Sequence, residues 1–420
     1  MAQVGTPPAA APGRLIAILL LAYIFNYIDR QIIGILAVPI KADLGLSDTQ
    51  LGLMGGLAFA LFYSGLGIPI AWLADRGSRV NIIAISVALW SLFSALCGAA
   101  QGFTQLFLAR IGVGVGEAGG VAPSYALIAD SVPPERRARA LAIFFFGIPI
   151  GSALGIFFGG WIASSIDWRT AFFVVGLAGL PVALLIKFGL KDPSRAPSAE
   201  PRGAPPRFRD AIGLLACKPS FWLLSLGNGA GAMAGYGLLF WLPSFFKRSL
   251  GLPLFEISAF YGAIVLFGGV MGIWLSGWIG DRMGGKRPAA YALVPAVAVL
   301  LAAPVTAAAL FASSPETGFE LFLIGNGLGL SWAGPVTAAI QQIVPPPMRA
   351  TASAGFLFFT NLLGLGLGTL VIGALSDRLG AALGAEALRC VILAALGFYV
   401  LSAILYALAA LTVERDWHRG

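Results

Sequence analysis

Long apolar runs separated by short charged turns fill the chain from Leu15 to its last few residues. A helix that spans a bilayer needs about 20 mostly apolar residues. On that scale the pattern predicts helices over 14–39, 47–74, 80–101, 103–130, 137–165 and 168–190, then over 220–246, 255–281, 287–312, 317–343, 350–377 and 385–413. The gaps hold turn or charge clusters such as "DRGSR", "SVPPERRAR", "DRMGGKR" and "VPPPMR". One run breaks the rule: "LIAILLLAYIFNYIDRQIIGILAVPI" (15–40) carries Asp29 and Arg30 side by side in its middle. Each ionised group there costs at least a few kcal/mol, so something must offset it.

Composition agrees with the run pattern. Hydrophobic residues make up 58% of the 420 and charged ones 11%, against about 25% charged in a soluble domain. The net charge of +8 would suggest nucleic acid in a soluble chain. Here the basic residues sit in the turns, where they report topology instead. With both termini inside, 19 Lys and Arg fall on inner segments, six on outer ones (Lys41, Arg169, Lys247, Arg248, Arg378, Arg389) and two, Arg30 and Arg110, within spans. That asymmetry places both termini in the cytoplasm, in a multi-pass protein of the inner cell membrane. Residues 1–13 read as a disordered Pro-rich tail rather than a signal peptide, because the run behind them is too long for one. Cys97, Cys217 and Cys390 have neither disulfide nor ligand spacing, and the single histidine, His418, lies in the tail at 414–420. No metal cluster and no cofactor motif stands out. "GVGVGEAGG" (112–120) lacks the strand that a dinucleotide fingerprint requires.

The polar stretch 191–218 divides the chain into a half at 14–190 and a half at 219–413. The halves echo one another. "AWLADRGSR" (71–79) returns as "GWIGDRMGGK" (277–286), and "SVPPERRARA" (131–140) as "IVPPPMRATA" (343–352). Ordered repeats at nearly one period indicate duplication, a transporter design in which two halves rock around a midplane site.

These motifs resemble the major facilitator superfamily, whose loop after helix 2 is roughly G-x-L-A-D-R-x-G-R-K. The Asp-Arg core survives in both copies, although the first Gly, the second Gly and the Lys have departed from the first copy. The resemblance covers the whole chain and implies an all-α fold of twelve membrane helices in two pseudo-symmetric halves. "NYIDR" in helix 1 with "RIGVGVGEAGGVAPS" in helix 4 is similar to the Spinster-like branch, which implies proton-coupled export of lysolipids or sphingoid phosphates. Anion symporters of the superfamily carry a similar Asn-Tyr-x-Asp-Arg stretch.

Four ionisable residues lie deep in spans: Asp29 and Arg30 in helix 1, Arg110 and Glu117 in helix 4. Asp29 is about 15 Å from Pro39 along its helix, while Arg110 and Glu117 lie about 10 and 20 Å along the opposed helix 4 and on one face. Two acids and two bases on facing helices would offset most of their burial cost. A static ion-pair cluster is the bland alternative, but intramembrane charge usually marks a pathway. Proton coupling needs a group that switches near neutral pH. No span contains histidine and arginine keeps its proton, so Asp29 is expected to carry the proton, with Glu117 as its partner. Arg30 and Arg110, with Asn26 and Tyr27 beside them in sequence, are the expected partners of the acids and of a substrate anion. Helices 7–12 carry no mid-depth charge and offer Asn228, Tyr236, Trp241, Tyr261, Asn326, Trp332 and Asn361 among apolar residues. Of these, Asn228, Tyr236, Trp332 and Asn361 join Tyr63 and Tyr125 as cavity candidates. A cavity charged on one wall and apolar on the other suits an amphiphile.

Asp75 with Arg76 and Asp281 with Arg282 follow helices 2 and 8. A carboxylate there can meet a helix N-terminus of the other half, and the family resemblance supports an inner latch. Helix 5 has Gly147, Gly151, Gly155 and Gly159 on one stripe, which allows close helix packing. The reading is a monomeric transporter of an amphiphilic anion, with protons and membrane lipid as its other partners and no nucleic acid. The alternative is a proton-coupled symporter of a water-soluble organic anion such as a sugar acid. A transporter-shaped sensor would be expected to have longer tails. An enzyme would need a metal site or nucleophile–base pair that the spans lack.

Overall fold

A computed structural model describes residues 12–192, 213–284, 287–345 and 348–418. Among them every regular element is a helix, as lipid demands of a chain that must satisfy its backbone internally. Among the described residues the longer helices fall into twelve successive runs, with one further helical turn at 213–216. α1 is Pro12–Ile35, continued past Leu36 by Ala37–Leu44. α2 covers 48–76, α3 is Arg79–Gly98, α4 covers 103–131, α5 covers 134–165 and α6 is Trp168–Gly189. In the second half α7 is Pro219–Leu250, α8 covers 254–284, α9 is Ala290–Leu310, α10 covers 315–342, α11 covers 349–383 and α12 covers 387–416.

Among the described residues nine stretches are long and apolar enough to cross a membrane, the last of them, Thr351–Asp416, holding α12 and nearly all of α11. α7 and α10 fall outside those nine. α7 is diluted by glycine, serine and ring residues, and α10 is interrupted between Gly329 and Pro335.

The first helix does not stop at Pro39, as the sequence pattern suggests. Pro39 occupies the first turn of Ala37–Leu44, where the amide it lacks would have no helical acceptor in any case. α5 likewise starts at Pro134 rather than at 137, a residue suited to the first helical position. The linker segment 193–212 and the tail before Pro12 lie outside the described residues.

The chain divides into two compact units, 1–32 with 61–199 and 33–60 with 200–420. Within the first, α3 packs against α6 and α4, and α5 rests on α1 through its glycine stripe. A Cβ at Gly151 would meet the Ile24 carbonyl at 2.4 Å, so the backbones nearly touch. Within the second, α9 packs against α12 and α10, and α7 against α11. That is the same pairing pattern six helices later, so the duplication legible in the motifs extends to packing. Asp416, at the end of α12, secures the start of α7: its carboxylate accepts from the Ser220 amide at 3.1 Å and hydroxyl at 2.6 Å.

Candidate functional site

The four intramembrane charges meet inside the first unit. Asp29 is 1% exposed, Arg110 1% and Glu117 0%. Neighbouring residues on a helix point about 100° apart, and this separates the roles of Asp29 and Arg30. The Arg30 side chain reaches α4, where its Nε donates to Glu117 Oε2 at 2.7 Å. Its guanidinium also lies 4.6 Å from the Tyr63 ring centre on α2 and 5.1 Å from that of Tyr27, within range of cation–π attraction. The Asp29 side chain turns to α3 instead, where its carboxylate accepts a hydrogen bond from Ser94. Among the described residues no guanidinium forms an ion pair with it. Arg110 Nη1 points at the Asp29 backbone carbonyl, at 3.5 Å.

Around this core stands a ring of aromatic side chains. Tyr23 stacks on Phe144 with centres 4.2 Å apart and meets Tyr27 edge-on at 5.1 Å. Tyr125 contacts Phe144 at 5.6 Å. Asn26, 2% exposed, lies beside Glu117. Neither its amide atoms nor Glu117 Oε1 has a well-aligned partner among the described residues.

Local sequence explains how α4 presents Glu117. The glycines that surround it are contact surfaces for α3. A Cβ at Gly116 would come within 2.6 Å of the Trp90 backbone nitrogen, and one at Gly112 within 2.3 Å of the Phe93 ring. The helix then breaks over 118–120 before resuming at Val121, so Glu117 closes the first half-helix. Gly116→Val should push α4 away from α3. A loss of about 1–3 kcal/mol, the usual cost of overpacking, is the expected result in a thermal unfolding assay on purified protein.

Asn26, Asp29, Arg30, Arg110, Glu117, Tyr27, Tyr63 and Tyr125 are thus gathered in the first unit, while the remaining cavity candidates belong to the second. There Asn228 is buried and both ends of its amide are engaged, donating to Thr360 Oγ1 and accepting from the Tyr406 hydroxyl, each at 2.8 Å. Trp332 lies 6.0 Å from Phe356, centre to centre, and Tyr236 and Asn361 are half-buried. Of the turn residues, Arg76, Asp281 and Arg282 are exposed, Arg282 sits 5.5 Å from the Trp278 ring, and the side chain of Asp75 lies outside the described residues. Ser94 and Tyr23 escape the sequence reading. The signal for Ser94 is its place four residues after Trp90 on one face of an apolar helix.

This arrangement and topology match known proteins. The model of the Major Facilitator Superfamily matches residues 19–369. The chain belongs to that superfamily. It is 36% identical over 408 residues, 96% of this chain and 93% of its relative, to an MFS-type efflux pump of Mycolicibacterium smegmatis. It is 32% identical to protein spinster homolog 1 of Homo sapiens, over 88% of this chain and 74% of that protein. The crystal structure of a bacterial homolog to the human lysosomal transporter Spinster, inward-facing and unoccupied, superposes with a TM-score of 0.88 at 32% identity, covering 99% of this chain and all of that one. Within the superfamily the chain is therefore Spinster-like. A D-xylose–proton symporter shares the fold alone, at 16% identity and a TM-score of 0.71. As a member of this family the chain is a multi-pass membrane transporter that works by alternating access, not an enzyme.

Proposed function

We propose that the chain transports an amphiphilic anion, of the lysophospholipid or sphingoid type, with proton coupling. The observation that carries this reading is the neutral cluster of two buried acids and two arginines, with Arg30 tied to Glu117 and Asp29 tied to a hydroxyl. An anion that takes Arg30 from Glu117 leaves a buried carboxylate without its cation, which is costly. A proton on that carboxylate removes the cost, so anion and proton favour each other's binding by linkage. Asp29, held by Ser94 rather than by a guanidinium, is the acid that exchanges its proton with least disruption, and it supplies the proton that Glu117 takes when it hands Arg30 over to the substrate. Asn26 can bond either form of Glu117, since an amide both donates and accepts.

The amphiphile is supported by the contrast between units. The charges of α7–α12 sit near helix ends, and Asn228 is occupied by its neighbours. Both termini are cytoplasmic in this reading, and the protein resides in the inner cell membrane as a monomer. Asp75, Arg76, Asp281 and Arg282 form the latch on the cytoplasmic side.

The test is thermal stabilisation of purified protein by a panel of lysophospholipids, sphingoid phosphates and sugar acids at pH 6 and pH 8. Stabilisation by the lipids, greater at the lower pH, is expected. Stabilisation by sugar acids alone would replace this reading with a symporter of water-soluble anions.

A further inference from the structure

We propose that Tyr63 and Tyr27 are the positioning residues of Arg30: their rings hold its guanidinium in place while its edge passes from Glu117 to a substrate anion. The inference rests on the exchange of Arg30 proposed above and adds what supports the cation while that exchange takes place. All the residues involved belong to the first compact unit.

A guanidinium is planar, with five donors around its edge and none on its faces. In Arg30 the edge is in use at Nε, which donates to Glu117 Oε2 at 2.7 Å. The central carbon lies over two rings, 4.6 Å from the centre of Tyr63 on α2 and 5.1 Å from that of Tyr27 on its own helix. Both distances are inside the roughly 6 Å over which a ring face attracts a cation. Carboxylate and rings therefore engage different parts of one group. They also differ in access. Glu117 is wholly buried, whereas the Arg30 side chain keeps 10% of its surface and both tyrosines are half-buried. An incoming anion can reach the guanidinium and its rings, and Glu117 stays behind them.

Packing fixes the Tyr27 side of this seat. Tyr27 meets Tyr23 edge-on at 5.1 Å, and Tyr23 stacks on Phe144 at 4.2 Å. Behind them the glycine stripe of α5 closes on α1. A Cβ at Gly147 would fall 2.9 Å from the Tyr23 ring, and one at Gly151 would fall 2.7 Å from the Tyr27 Cβ. None of these contacts involves a charge, so the wall keeps its shape whatever happens at Glu117.

Neutral support is what the exchange requires. A second carboxylate beside Arg30 would compete with the substrate anion and would need a proton of its own. A ring face attracts the cation through a fixed quadrupole instead, and it makes no demand on the donors at the edge. That attraction is the same before and after Glu117 lets go. Arg30 is thereby presented to the anion rather than set loose by the loss of its carboxylate.

The test is a series at position 63, with Tyr63→Phe as its reference and the same substitution carrying one, two and three ring fluorines. Fluorine drains negative charge from the ring face and hardly alters the size of the ring. Unfolding midpoints of the purified proteins are taken with Glu117 intact and in Glu117→Gln, where Arg30 has lost its carboxylate as it does during exchange. The midpoint should fall with each fluorine in both backgrounds and stay level in Arg30→Met. A ring that served packing alone would give one slope in all three. In reconstituted vesicles the KM for lysophosphatidate should rise along the series, about tenfold by the third fluorine, with kcat changed less, and this arm decides if Glu117→Gln does not fold. A level series where Arg30 is present, or one that matches Arg30→Met, would overturn the proposal. Graded midpoints without any transport of lysophosphatidate would contradict the cargo proposed above and leave the two tyrosines their role.

Discussion

Glu117→Gln should lower thermal stability by about 3 kcal/mol or more, the cost of leaving one member of a buried ion pair without its counter-charge. Arg30 would remain among Tyr27, Tyr63 and the apolar flank of α4 with no carboxylate at its Nε. Replacing both members, Arg30→Met with Glu117→Leu, should recover most of that loss, because a well-packed apolar pair often matches a buried ion pair in stability. Transport should be absent in both proteins. The comparison separates cohesion from function. A cluster that served only to hold α1 against α4 would give a double variant that is stable and still active. Thermal unfolding of the three proteins, with vesicle transport measured alongside, decides between the two outcomes.

Asp29→Asn should abolish accumulation driven by a pH gradient while leaving movement down a substrate gradient. Asparagine has the shape of aspartate and can still accept from Ser94 through its amide oxygen, so the contact from α1 to α3 survives. What is lost is the capacity to take up and release a proton. The buried groups that face position 29 are Ser94 and Cys97 on α3 and Arg110 and Glu117 on α4, with Arg30 next to it in the chain. Of these only Glu117 is another acid, and in this account it receives its proton by way of Asp29. Uptake by the variant should therefore be flat across a pH range over which the wild type responds. A pH response equal to that of the wild type would remove Asp29 from the coupling step.

Much of the fold is legible because a bilayer enforces one simple pattern. The apolar runs and the basic turns give the helices, and the paired "ADR" and "GDR" turns give the duplication. Legible for the same reason are Asp29, Arg30, Arg110 and Glu117, since a charge inside an apolar run stands out. Their pairing is not. Asp29 and Arg30 are adjacent, and only the rotation of α1 against its neighbours decides that one reaches Ser94 and the other Glu117. Residues at the ends of runs are harder still. Asp48 and Asp377 sit at the ends of predicted helices, and nothing in "LSDTQ" or "ALSDR" announces that two segments more than 300 residues apart are hydrogen-bonded to each other. The extension of α1 past Pro39 is hidden for a related reason: a proline that breaks a helix interior is harmless in a first turn. The breaks in α4 and α10 follow glycine-rich stretches whose function, close approach to a neighbouring helix, depends on which helix lies there.

The most direct test of the central claim, that an anion's capture of Arg30 is joined to protonation of a buried acid, is proton movement in sealed vesicles. Purified protein is reconstituted with a pH-sensitive dye inside, and a lysophosphatidate is added outside without any imposed pH gradient. Substrate entry through the wild type should change the internal pH in step with the lipid transported, and Asp29→Asn should move lipid without that change. Lipid transport by the wild type with no accompanying proton movement would contradict the account.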